Sequence, residues 1–260
     1  MMNKKSFYLL AALVILVCTV AVSPASANNL LVNGGFENPI VASSSLCGAY
    51  GPSQCFHTTA GLNDIGGWTV IGKSDTNPDG SPNGNPAPVM LMTNAYQETV
   101  GGTPTGAPLY FHVENGNQAV DLTGEGNQNT APGVNDGIKQ SVTTVKGQTY
   151  DLSFWLGHQD GTAPGYTNGH ASIDLYLNGA FIQTFTNDQN KSNDVFWSLE
   201  NFDFTATSGT TTVAFINSTS LGNNYAGLDN VSLSSVPEPA SLLLVGAGLC
   251  SFLTRRLRKS

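Results

Sequence analysis

From residue 30 to 234, apolar and polar positions alternate in short runs broken by Gly, Asn and Asp. Alternation with period two predicts strands with one face in a core, and no run between the two ends repeats at helical spacing. The clearest unit is 171–185, where Asn178-Gly179 predicts a two-residue hairpin because both positions need positive φ. That turn sets Leu177 opposite Ala180, Leu175 opposite Ile182 and Ile173 opposite Thr184 on the core face. Ser172, Asp174, Tyr176, Phe181 and Phe185 then share the outer face. A second strand covers 149–156, with Tyr150, Leu152, Phe154 and Leu156 on one face and Asp151, Ser153 and Trp155 on the other. Further strands are predicted at 68–71, 109–113, 118–122, 138–142, 201–206, 211–217 and 228–233. About ten strands joined by polar turns predict an all-β fold, an antiparallel two-sheet β-sandwich with a single core.

One internal segment breaks this pattern. Residues 72–108 hold Pro78, Pro82, Pro86, Pro88, Pro104 and Pro108 among many Gly and Asn, which predicts a loop or insertion with one short strand at 89–92. The two ends break it differently. Lys4 and Lys5, an apolar stretch over 7–22 and Ala25-Ser26-Ala27 predict a signal peptide, residues 1–27, whose helix is removed before Asn28. At the far end Pro237-Glu238-Pro239 precedes an apolar run over 240–253 and then Arg255, Arg256, Arg258 and Lys259. As a helix that run is about 21 Å long against roughly 30 Å of hydrocarbon, a short transmembrane helix suited to a transient anchor.

The three-part tail at 236–260 resembles the PEP-CTERM sorting signal. The resemblance implies recognition by an exosortase-type membrane transpeptidase. It also implies export through the inner membrane, transient anchoring, and delivery to the cell surface or extracellular matrix of a Gram-negative bacterium. Residues 28–235 remain as one domain. They hold 17 Asp or Glu against Lys73, Lys139, Lys146 and Lys191, so the net charge is 4 − 17 = −13. An acidic body without arginine excludes nucleic acid and anionic lipid as partners, since both need a basic footprint. Cys47 and Cys55 are the cysteines left in this segment, and an even pair in an exported chain predicts a disulfide, with a metal pair as the alternative.

The body carries Asn33-Gly-Gly-Phe-Glu37, Gly67-Trp68-Thr-Val70, Gly116-Asn-Gln-Ala-Val-Asp-Leu122, Gly137-Ile-Lys-Gln-Ser141, Gly147-Gln-Thr-Tyr150 and Leu228-Asp-Asn-Val-Ser-Leu233 in order. This series resembles the galactose-binding-domain-like group of exported bacterial proteins, among them choice-of-anchor and PEP-CTERM domain proteins. It is also similar to jelly-roll carbohydrate-binding modules. The resemblance implies a jelly-roll sandwich and structural roles for Trp68 and Trp197. It further implies a structural Ca²⁺ where the N-x-G-F-E segment meets the terminal Asp-bearing strand, which nominates Glu37 and Asp229. The alternative is that both carboxylates hydrogen-bond turns. Asp75-Thr-Asn77-Pro-Asp79-Gly80 has half the spacing of a calcium loop but lacks the closing Glu, and reads as a polar turn.

Sugar binding needs an aromatic platform beside amide, hydroxyl and carboxylate groups. Trp155 with Asp151 and Ser153 is the first nominee, against the alternative of inter-sheet packing. Tyr176, Phe181 and Asp174 form a second, and His158, Tyr166 and His170 lie in or beside the adjacent loop. No G-x-S-x-G elbow, H-E-x-x-H helix or phosphate loop occurs. The sequence therefore reads as a non-catalytic surface protein that associates with extracellular polysaccharide and contributes to biofilm. The rival readings are a glycan hydrolase or lyase, and a purely structural matrix protein.

Overall fold

The computed structural model describes residues 28–42, 55–58, 61–72, 88–98, 109–124, 136–160, 169–189, 193–220 and 225–237. These contain β1 (Cys55–His57), β2 (Thr69–Ile71), β3 (Met90–Thr93), β4 (Gln97–Glu98), β5 (Leu109–Tyr110), β6 (Gln118–Asp121) and β7 (Gly137–Thr143). They continue with β8 (Thr149–Asp160), β9 (Ala171–Leu177), β10 (Ala180–Asn187), β11 (Asp194–Thr205), β12 (Thr210–Asn217) and β13 (Gly227–Ser235). The order β1-β3-β6-β13-β8-β11 makes one sheet, β10-β9-β12-β7-β2 a second, and β4-β5 a small ribbon. The two large sheets pack as an all-β antiparallel jelly-roll sandwich, as the alternation predicts. The signal helix and the C-terminal apolar helix lie outside the described residues.

The core forms because the long strands are two-faced. Tyr150, Leu152, Phe154 and Leu156 of β8 point inward. They meet Val213 and Phe215 of β12 and Ile173 and Leu175 of β9. Phe154 stands edge-on to Phe215 at 4.9 Å and to Phe185 at 5.0 Å, so three rings join the sheets. Each such side chain contributes roughly 1.5–3 kcal/mol on burial. Asn187 adds a polar stitch, its Nδ2 donating to the carbonyls of Leu156 and Phe196 at 2.8 and 2.9 Å.

The predicted hairpin is present, with Asn178 at φ 53° and Gly179 at φ 80°. Its register departs from expectation after Phe181. Tyr176 faces Phe181, but Leu175 faces Gln183 and Ile173 faces Phe185, because a bulge absorbs Ile182. The extra residue turns Phe185 into the core, 6% exposed, and moves Thr184 outward. A second correction concerns the single core. A separate cluster of Cys55, Met90, Met92, Tyr96, Leu109, Phe111, Val195 and Tyr225 covers the outer side of the six-stranded sheet at one end. The Pro-rich segment supplies β3 where the one short strand at 89–92 is expected, and Met90 and Met92 enter this cluster. β1 and β4 lie where loop is expected, and β11 begins seven residues before its predicted start at 201.

The N-terminal segment closes the sandwich. Leu30 N–H donates to Leu233 at 2.8 Å, and Val231 N–H donates to Gly34 at 2.8 Å. A Cβ on Gly34 would overlap the Val231 carbonyl oxygen, whereas one on Gly35 meets nothing within 4 Å. Gly34→Ala is therefore expected to cost roughly 1–3 kcal/mol, as for other overpacked sites. Gly35→Ala should stay within about 0.5 kcal/mol, read as paired urea unfolding midpoints. Equal effects of the two would contradict this closure.

Candidate functional site

Strand β8 pairs with β11 along twelve residues, and β11 is the edge of its sheet. With Tyr150, Leu152, Phe154 and Leu156 in the core, Asp151, Ser153, Trp155 and Gly157 face outward. Their partners are Asp203, Asn201, Leu199 and Trp197. The result is a strip about 20 Å long, six residues at roughly 3.4 Å each, aromatic at one end and polar at the other. Trp155 is half-buried, and Leu199 beside it is 48% exposed. The expected orientation of Trp155, Asp151 and Ser153 is the one observed, and inter-sheet packing is not the role of this indole.

The three tryptophans differ in what their N–H does. Trp68 is fully buried and donates to the Asn33 carbonyl at 3.2 Å. Trp197 donates to the His112 carbonyl at 2.9 Å. Its ring lies over two glycines, since a Cβ on Gly157 or Gly227 would come within 2.8 or 2.7 Å of it. Trp155 Nε1 has no hydrogen-bond partner among the described residues. Nor have the carboxylates of Asp151 and Asp203. An indole with a spare donor, with the Asn201 amide one same-face step away and the two carboxylates two steps away, can stack on an apolar sugar face while polar groups along the strip bind hydroxyls.

The strip continues past Trp197. Tyr110 and His112 stack with centroids 5.5 Å apart and planes 9° from parallel, and the Tyr110 ring is 41% exposed. Asp194 holds the His112 ring through Nδ1 at 3.0 Å. Trp197 has the structural role expected of it, packed against the second cluster with its N–H bonded, whereas Tyr110 and His112 were not nominated from sequence. The alternation through Val195-Phe-Trp-Ser-Leu199 was the available signal for an outward-facing Trp197.

The other nominees go elsewhere. Asp174 and Tyr176 lie on β9, in the five-stranded sheet, and face the opposite side of the sandwich from Trp155. Tyr166 and the 75–81 loop lie outside the described residues. His170 is exposed at the start of β9. His158 is 1% exposed, with Nδ1 on the Gln189 carbonyl at 2.9 Å, which is a structural setting. Cys55 is buried in β1, while Cys47 lies outside the described residues.

Glu37 and Asp229 converge on one turn. Glu37 Oε1 accepts the N–H groups of Asn117 and Gln118 at 2.7 and 3.1 Å. Asp229 accepts those of Asn115 at 3.1 Å and Asn230 at 2.6 Å. Burial pushes the Asp229 carboxyl from its ordinary 3.8 up to about 7, and nearby Glu114 adds to the rise against the pull of its N–H donors. No group of three acidic, His or Cys side chains that could hold a metal occurs among the described residues. The two carboxylates are hard oxygen donors of the kind Ca²⁺ takes, but backbone oxygens would have to supply most of its six to eight ligands. As it stands, the corner is a turn satisfied by two carboxylates.

Fold and site together define an acidic β-sandwich with an aromatic strip on one outer face. Residues 235–259 match the PEP-CTERM protein-sorting motif, with Pro237, Glu238 and Pro239 inside the match. The motif marks the chain for export and for sorting to the surface through a C-terminal signal. No curated protein sequence matches the chain. Among solved structures it is similar to a family 61 carbohydrate-binding module in complex with β-1,4-galactotriose. That likeness is at 12% identity over 81% of this chain and 100% of that one, with a TM-score of 0.37. It is also similar to a family 35 carbohydrate-binding module from Clostridium thermocellum, at 17% identity over 57% and 92% of the two chains, TM-score 0.31. A cycloisomaltooligosaccharide glucanotransferase from Paenibacillus sp. is similar at 21% identity and TM-score 0.29, over 54% of this chain. The chain spans 16% of that enzyme's length.

Proposed function

We propose that this is a non-catalytic protein that binds extracellular polysaccharide on the Trp155 face. An exosortase-type transpeptidase would process its tail and leave it at the surface or in the biofilm matrix of a Gram-negative bacterium. The observation that carries the reading is the half-buried Trp155 indole on an outer face, one same-face step from Ser153 and Asn201 and two from Asp151 and Asp203. On this half-exposed face water solvates that N–H, and a sugar hydroxyl can take the water's place while the ring stacks on an apolar sugar face. Trp155→Ala should weaken binding at least about tenfold, the loss of one interface anchor, while thermal unfolding stays unchanged. Titration of both proteins with the polysaccharide that retains the wild type measures this. Equal affinities would remove Trp155 from the site.

A second reading has one observation in its favour. Asp151 and Asp203 stand directly opposite each other across β8 and β11, and paired carboxylates are what glycoside hydrolysis requires. Release of reducing ends by the wild type, lost in Asp203→Asn, would assign hydrolysis instead. Two structural elements belong to the same proposal. A Cys47–Cys55 disulfide would fix the segment before β1. Calcium held by Glu37 and Asp229 would keep the buried Asp229 ionised and tie the N-terminal segment to β13.

A further inference from the structure

The outer face of the five-stranded sheet carries a second aromatic track, built unlike the first. Tyr176 on β9 faces Phe181 on β10, the rings meeting edge-on at 5.6 Å, and Phe181 is 54% exposed. Register extends this row across the sheet to Ala214 on β12, Lys139 on β7 and Thr69 on β2. The neighbouring row reads Thr184, Asp174, Ile216, Gly137 and Ile71. Thr184 Oγ1 donates to Asp174 at 2.6 Å, which holds that carboxylate beside the rings. Ala214 and Gly137 keep the middle of the track low. Five strands at about 4.8 Å spacing make it about 19 Å long, with one strand per sugar-sized step.

The chemistry of this face selects its occupant. Two adjacent rings at one end are followed by a carboxylate, an ammonium and hydroxyls, with Ile216 and Ile71 between them, a mixture that matches a sugar chain better than a lipid or a wholly apolar protein surface. A second copy of the domain would bring a net charge of −13 against the same charge, and an anionic polymer would meet the same repulsion. A neutral polysaccharide meets neither. The inner faces of the sheets are locked together through Phe154, Phe185 and Phe215. The Trp155 and Tyr176 faces therefore point in opposite directions, and one extended chain cannot lie on both.

We infer that the domain is bivalent: the Tyr176–Phe181 track is a second site for neutral polysaccharide, and the protein cross-links separate glycan chains. This rests on the glycan-binding reading of the Trp155 face. Bivalence converts modest single-site affinity into network formation, because each chain carries many repeats of the ligand.

The test uses residues 28–235, which hold every described strand and both hydrophobic clusters, mixed with a neutral polysaccharide that slows them in a native gel. Low-shear viscosity should rise with added wild type, peak, and fall again when excess protein saturates each chain singly. Trp155→Ala and Phe181→Ala should each still be slowed in the gel yet give no viscosity rise, and the double variant should migrate freely. Phe181 is exposed, so its loss leaves the fold intact. If Trp155→Ala alone abolishes retardation while Phe181→Ala matches wild type in both assays, the domain is monovalent and only the first reading stands. If the wild type is slowed by no polysaccharide, both readings fall together.

Discussion

Replacing Trp68 by Ala lowers the thermal unfolding midpoint by about 6–20 °C, the largest effect expected of any single substitution in this chain. Trp68 is fully buried between the sheets, 5.7 Å from Phe36 and 6.1 Å from Phe215. It also ties the N-terminal segment down through its bond to the Asn33 carbonyl. Truncation removes the packing of both rings and leaves that carbonyl without its donor. Large-to-small aromatic changes in cores cost about 3–5 kcal/mol, a large share of the roughly 5–15 kcal/mol that holds a domain folded. At roughly 2–4 °C per kcal/mol the stated range follows. Trp68→Phe, which keeps most of the volume, should recover more than half of the loss. Calorimetry of the two variants beside Trp155→Ala decides the matter. A drop for Trp155→Ala as large as for Trp68→Ala would contradict the assignment of one indole to the core and the other to the surface.

The second large effect is on the pH dependence of stability. With calcium chelated, Asp229 in the folded domain releases its proton near pH 7, against 3.8 for the unfolded chain. Between about pH 4 and pH 7 the folded state therefore holds a proton that the unfolded state has lost. Stability must fall as pH rises through that window, and it levels off above it. Three units correspond to at most about 4 kcal/mol. Asp229→Asn cannot ionise, so its unfolding free energy should lack this slope, and the difference between the two proteins isolates Asp229 from the other carboxylates. Urea unfolding at pH 4, 5.5, 7 and 8 measures it, and parallel curves would refute the buried, destabilised carboxylate. Added calcium offers a further check on the proposed ion. If Glu37 and Asp229 hold it, the wild-type slope flattens and stability at pH 7 rises; if calcium changes nothing, the corner is a turn and no more.

How much of this was legible in the chain depends on whether each strand has one wet face. β8 does, so period-two alternation gave Trp155, Asp151 and Ser153 their outward direction. β3 and β6 do not. Met90–Thr93 and Gln118–Asp121 are buried throughout, and the outer side of β3 lies in the second cluster. Without a polar face there is no alternation to reveal that a second apolar layer covers the sheet. The bulge at Ile182 was illegible for a different reason. Ile182 and Phe185 are both apolar and both reach the core, and only the fit of Phe185 against Phe154 decides that Phe185 is the more deeply buried. At the site, sequence placed two aromatic groups on two strands. It could not show that β8 and β9 belong to different sheets, which puts the two predicted surfaces on opposite faces.

Affinity electrophoresis of residues 28–235 through gels containing a panel of polysaccharides, run beside Trp155→Ala, tests the central claim most directly. Binding at the β8–β11 strip predicts that at least one neutral glycan slows the wild type and that Trp155→Ala is slowed less. Uniform migration of the wild type through the whole panel, with the producing cell's own exopolysaccharide included, would contradict it.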